Sequence, residues 1–168
     1  MTAELSIAAD ARIRLRAALL SLVVATLMLA AKYQAYRMTG STAVLSDALE
    51  SIVNVLAAVF ALGGLLFAGR PADRNHPYGH GKIEFFSAAF EGGLIAFASI
   101  LIVYEAVRSL VAGPDVRQIG LGLLIVLGSA LVNLALGLYL VRTGRRYASL
   151  TLIADGQHVL ADVWTSAG

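Results

Sequence analysis

Long apolar runs alternate with short polar connections along this chain, and four of the runs are long enough to cross a bilayer, which takes roughly 20 helical residues. They extend from about Ala17 to Tyr36, Thr42 to Ala68, Phe85 to Val111 and Ile119 to Val141. A fifth run starts near Ala148 and continues to Gly168, without flanking charge or cap. The pattern predicts an all-α integral membrane protein, a transmembrane helix bundle with five spans present. Residues 1–16 are expected as an N-terminal segment on the cytoplasmic side and 17–168 as the transmembrane domain, truncated in its fifth helix. Small residues in the fourth span, Gly120, Gly122, Gly128, Ser129 and Gly137, predict close helix packing.

Composition agrees. Apolar residues make up 58% of the 168 and charged residues 14%, with a mean hydropathy of +0.77. A soluble domain carries about 25% charge. Disorder, a nucleic-acid module and a disulfide scaffold are excluded, the last because there is no cysteine. Nor does the N-terminus read as a signal peptide, since Glu4 and Asp10 precede the basic cluster and the first apolar run is too long.

The net charge of +2 is better read as topology than as a nucleic-acid footprint. Nine basic residues fall on one side of the spans: Arg12, Arg14 and Arg16, then Arg70, Arg74 and Lys82, then Arg142, Arg145 and Arg146. Only Arg37, Arg108 and Arg117 fall on the other, and Lys32 lies inside the first span. The imbalance predicts a cytoplasmic N-terminus, in a multi-pass protein of the cell's inner (plasma) membrane.

Polar residues within spans are costly and mark pathways or sites. The second span holds Asp47, Glu50 and Asn54, and the fifth holds Asp155, His158 and Asp162. Both sets are spaced i, i+3, i+7, which on a helix is one stripe. Glu50–Asn54 and His158–Asp162 are each one turn apart on a face. Two facing helices would then offer two carboxylates, an amide oxygen and an imidazole in a roughly tetrahedral cage suited to a first-row divalent cation. The alternative is an interhelical hydrogen-bond network without metal. The loop from Arg70 to Lys82 adds Asp73, His76 and His80 beside Pro77 and two glycines; His76 is followed by proline, so this is no HExxH motif. Those three residues either bind metal or make ordinary loop contacts. Glu84 and Glu91 share a face of the third span, Glu105 and Arg108 are placed to pair near its outer end, and Asn133 in the fourth reads as interhelical glue.

Gly40-Ser41, the LSDALESIVN segment, the RPADRNHPYGHGKIE loop and the HVLAD segment occur together in an order and spacing that resemble the cation diffusion facilitators, exporters of zinc, manganese, iron or cobalt in exchange for protons. The resemblance covers nearly the whole chain. It implies a transport site at Glu50, Asn54, His158 and Asp162, a peripheral metal site at Asp73, His76 and His80, and accessory acids at Asp47 and Asp155. It also implies a sixth span, a cytoplasmic ferredoxin-like domain and a homodimer in a complete protein; this chain has neither the sixth span nor that domain, and is expected to be a fragment. No prosthetic group is implied, and no enzymatic role: the metal is cargo.

One departure concerns charge. Zinc-transporting members carry Asp or His and then Asp where this chain has Glu50 and Asn54, so the cage has two formal negative charges instead of three. Zinc is the family's commonest substrate, and the donors suit manganese or iron about as well. Alternating access at the midplane is the expected mechanism. Metal would be drawn through an acidic mouth including Asp73 and Glu84. His158, of a residue type that titrates near pH 6.5, would be the group exchanging protons with metal. A cation channel and a non-transporting metal sensor are the competing readings; the compact stripes disfavour a continuous polar pore. An intramembrane hydrolase lacks a recognisable constellation.

Overall fold

The computed structural model describes residues 2–40, 42–112 and 120–167. Five helices follow one another: α1 (Thr2–Thr39), α2 (Thr42–Ala68), α3 (Ile83–Ala112), α4 (Gly120–Arg146) and α5 (Leu150–Ala167). All five expected helices form. Helix α1 runs unbroken through the boundary expected at residue 16. Ser41, Arg117 and the side chains of Glu105 and Arg108 lie outside what is described.

The helices α1 to α4 are long and apolar enough to span a membrane, with apolar stretches of 30, 22, 18 and 20 residues. Helix α5, 18 residues long, falls short of that apolarity because it carries the Asp155–His158–Asp162 stripe. It is the polar member of the bundle, and that stripe is buried.

The burial pattern is inverted relative to a soluble protein. Large apolar side chains such as Leu27, Phe86, Ile100 and Leu131 point outward, whereas the interior is lined by alanines and polar groups. This is how a bundle satisfies lipid: apolar bulk faces hydrocarbon, and the few polar groups find one another inside. A small apolar cluster of Ala17, Ala18, Leu65, Leu136, Leu140, Leu152 and Val159 joins α1, α2, α4 and α5.

Helix α1 stops at Gly40, whose φ of +62° lets its N–H reach Tyr36 O at 2.8 Å, a left-handed cap that favours glycine. Helix α4 packs on α5 by backbone contact. A Cβ on Gly156 would lie 2.8 Å from Val141 N and 2.9 Å from Gly137 O; one on Gly137 would lie 3.0 Å from Gly156 O. The small-residue stripe of α4 therefore divides. Gly137 is a packing position, whereas Gly128 has nothing within 4 Å.

The chain direction fixes two ends. The α2–α3 loop, the N-terminal part of α1 and the α4–α5 turn share one end, hereafter the loop end. There Arg14 Nη1 lies 3.1 Å from Glu84 Oε1, and Ser149 Oγ donates to Glu84 Oε2 at 2.7 Å. The α1–α2 turn at Gly40 marks the opposite end.

Candidate metal centres

Helices α2 and α5 run antiparallel, so their stripes meet head to tail. Asn54 is the junction. Its Nδ2 donates to Asp162 Oδ2, and its Oδ1 lies 3.2 Å from His158 Nε2. One amide therefore holds both α5 residues, which are almost fully buried. Glu50, one turn earlier on α2, is close enough to Asp162 for their charges to interact. Three of the four expected residues are thus joined through Asn54, and the fourth borders them. The second ring nitrogen of His158, Nδ1, is buried without a partner.

The outer members of the two stripes part company. Asp47 binds Lys32 of α1, Nζ to Oδ1 at 2.8 Å, and Lys32 is only 4% exposed. This places a compensating cation beside the centre, and its charge also reaches Asp162. Asp155 lies on the other side, toward the loop end. It is 1% exposed and faces the Ser21 hydroxyl of α1 and Glu91 of α3. The i, i+3, i+7 pattern correctly gave a shared face, but antiparallel packing sends the two accessory acids to opposite sides of the central four.

The loop residues Asp73, His76 and His80 come together as expected. Each offers a ligand atom, and these atoms all lie within 4.8 Å of one another. Among the described residues this is the one place where three His, Asp or Glu side chains converge so tightly. Asp73 Oδ1 accepts the backbone N–H of Asn75 at 2.9 Å and of His76 at 2.7 Å, an Asx turn that aims the carboxylate back at the histidines. His76 Nδ1 stands 3.1 Å from Oδ1 and His80 Nε2 3.4 Å from Oδ2. The His76 backbone N–H, the imidazole and the Asn75 N–H outweigh the opposing effect of burial and hold the Asp73 carboxyl below the usual carboxylate range. His80 is buried edge-on against Phe67, ring centroids 4.9 Å apart, while Arg70 covers that ring at 4.8 Å. Phe67 is thus the floor of the loop centre; as one more apolar residue at the end of a span, it carried no signal in the sequence. Lys32 was visible only as an unplaced charge inside a span.

A cavity of about 400 Å³ lies between α2 and α3, lined by Phe60, Gly64, Phe67 and Ser87. At the loop end a second, of about 350 Å³, is lined by Arg14, Gly81, Glu84 and Leu65. It opens beside the Arg14–Glu84 pair.

The description "cation efflux transmembrane domain" fits residues 18–168. The chain belongs to the cation efflux, or cation diffusion facilitator, family. Among curated relatives, an uncharacterised transporter of Synechocystis is 42% identical over 151 residues, covering 90% of this chain and 49% of the relative. The manganese efflux system protein MneP of Bacillus subtilis is 32% identical, over 90% of this chain and 50% of its own length. The cation-efflux pump FieF of Cronobacter sakazakii is 28% identical, over 88% and 49%. The chain spans about half the length of these relatives. They are named as transporters, and a multi-pass membrane protein of cation efflux type is the family to which this bundle conforms.

Proposed function

We propose that this chain forms the metal-conducting part of a divalent cation exporter that exchanges metal for protons by alternating access. The observation that carries this reading is the Asn54 bridge, which joins α2 to His158 and Asp162 of α5 inside the bundle. Glu50, Asn54, His158 and Asp162 bind the cargo ion, and protons compete with it for the lone pairs of His158 and the carboxylates. That competition couples the two fluxes without a separate proton path.

One imidazole with three oxygen donors suits Mn2+ and Fe2+ as well as Zn2+ or Co2+, and one relative bears the name of a manganese efflux protein. Asp73, His76 and His80 collect metal at the mouth, on the cytoplasmic side that the nine-to-three distribution of basic residues favours. The complete protein works as a homodimer in the inner membrane.

The test is a metal panel in proteoliposomes of the complete protein with a lumenal pH reporter. Metal uptake with counter-movement of protons is expected, and both should be lost in His158→Ala. Metal binding without flux would make the protein a sensor. Flux without proton movement would point to a channel.

A further inference from the structure

A second polar layer lies between the loop end and the Asn54 bridge. Helices α1, α3 and α5 all run inward from the loop end, where Arg14, Glu84 and Ser149 touch. Counting inward from that contact, Ser21 and Glu91 are each seven residues on and Asp155 is six. At 1.5 Å per residue the three reach a common depth of about 9–10.5 Å. His158 is nine residues beyond Ser149, about 13.5 Å in.

This layer is more completely buried than the centre beyond it: Glu91 is 0% exposed, and Asp155 and Ser21 are each 1%. The charges of Glu91 and Asp155 oppose one another. Among the described residues no basic group pairs with either, and Glu91 Oε2 and both Asp155 oxygens have no hydrogen-bond donor. Ser87 Oγ, 3.4 Å from Glu91 Oε1, is the donor to Glu91. The Ser21 hydroxyl is buried and faces Asp155, with no other partner. Thr151, one turn toward the loop end from Asp155, is 0% exposed and its Oγ1 is likewise unpartnered. Gly64 leaves room beside it: a Cβ there would lie 3.0 Å from Ser87 Oγ and 4.0 Å from Thr151 Oγ1.

Two buried carboxylates without donors are expensive in a membrane interior, and buried hydroxyls without partners add to that cost. A cation between the two acids would satisfy both carboxylates and the Ser21 hydroxyl together. We propose that Glu91 and Asp155, with the Ser21 hydroxyl, form a second intramembrane divalent-cation site, made entirely of oxygen donors, between the loop end and the Asn54 centre. Its chemistry is that of a hard ion, Mn2+ before Zn2+. As a station on the way to His158 and Asp162 it rests on the export reading; as a binding site it stands alone.

Mn2+ is the probe, with the protein in nanodiscs of zwitterionic lipid. The chain has three histidines, His76, His80 and His158, so Mn2+ at either centre described above shows nitrogen coupling in pulsed EPR, and Mn2+ at the oxygen site shows none. With all three histidines changed to Ala, one tightly held Mn2+ per chain without nitrogen coupling is expected, and adding Glu91→Gln and Asp155→Asn should remove it. A folded histidine-free chain that binds no such ion, or one that keeps it after both acid substitutions, overturns the proposal. Should the multiple variant not fold, Glu91→Gln in the otherwise unchanged protein decides. It should lower Mn2+ stoichiometry by one with the nitrogen-coupled signal intact, whereas Glu91→Asp retains the ion; unchanged stoichiometry in Glu91→Gln overturns the site. Failure of the export reading would be seen elsewhere, as undiminished transport by His158→Ala.

Discussion

Lys32 of α1 and Asp47 of α2 form an ion pair, 2.8 Å between Nζ and Oδ1, inside two apolar spans. The pair fixes the charge of the neighbouring centre. With Asp47 neutralised, Glu50 and Asp162 are the carboxylates left to face a cation, and Lys32 sets a positive field against it. A helix-1 residue thus reaches the polar cluster shared by helices 2 and 5.

Lys32→Met should therefore have two separable effects. It leaves Asp47 buried without a partner, costing about 3 kcal/mol, and the double change Lys32→Met/Asp47→Asn should recover most of that. In the single variant, loss of the positive charge that reaches Asp162 should tighten divalent binding. Thermal unfolding in detergent and isothermal titration with Mn2+ and Zn2+ check the two effects; unchanged stability in the single variant would show that the pair contributes nothing.

Replacing Asn54 by Asp exchanges a donor for a carboxylate where it meets Asp162. Without metal this creates like-charge repulsion, so the metal-free protein should melt lower than the parent. Metal binds the folded state more tightly and stabilises it by mass action, so Zn2+ or Mn2+ should raise the melting temperature further than in the parent. Turnover in vesicles should fall as affinity rises. Asn54→Leu removes an oxygen donor and should weaken every metal.

The α4–α5 contact gives a paired test. Gly156→Ala pushes a methyl to within 2.8 Å of Val141 N and 2.9 Å of Gly137 O, and since backbone cannot step aside cheaply the cost should be about 1–3 kcal/mol. Gly128→Ala on α4 meets nothing within 4 Å and should be neutral, or more stable by up to about 1 kcal/mol from helix propensity. Comparing their unfolding midpoints tests both at once.

At the loop, His76→Ala/His80→Ala should lower apparent affinity or rate while transport persists. The depressed carboxyl of Asp73 fixes the sign of a pH effect. Its contribution to loop order is complete above the ordinary carboxylate pKa near 3.9 and fades only as pH falls through its lower folded value. Trypsin cleavage after Arg74 should thus be flat with pH from 8 to 5 once protease activity is corrected for, and faster throughout in Asp73→Ala. Equal cleavage of both proteins would remove Asp73 from the loop's architecture.

Much of this was legible in the sequence because it depends on one helix at a time. The spans follow from apolar length, and the Glu50–Asn54 and His158–Asp162 faces from a spacing that any α-helix obeys. The loop cluster was legible because Asp73, His76 and His80 lie within eight residues. What depends on the register of several helices was not. That Asp155 turns toward Glu91 and Ser21 requires three helices to reach equal depth. That Asp47 takes Lys32 requires α1 beside α2. Nor does spacing distinguish Gly137, pressed against backbone, from Gly128, which meets nothing.

The contact between Gly137 and Gly156 also constrains how the protein moves. The arms of the α4–α5 hairpin meet main chain to main chain, and its turn is closed by Ser149 N–H on Gly144 O at 2.9 Å. Such a hairpin has no internal hinge, so it travels as one lever. Any displacement that carries His158 and Asp162 away from Asn54 must carry α4 with it, and must also shear α5 against α1 and α3, which it meets at Ser21, Glu84 and Glu91.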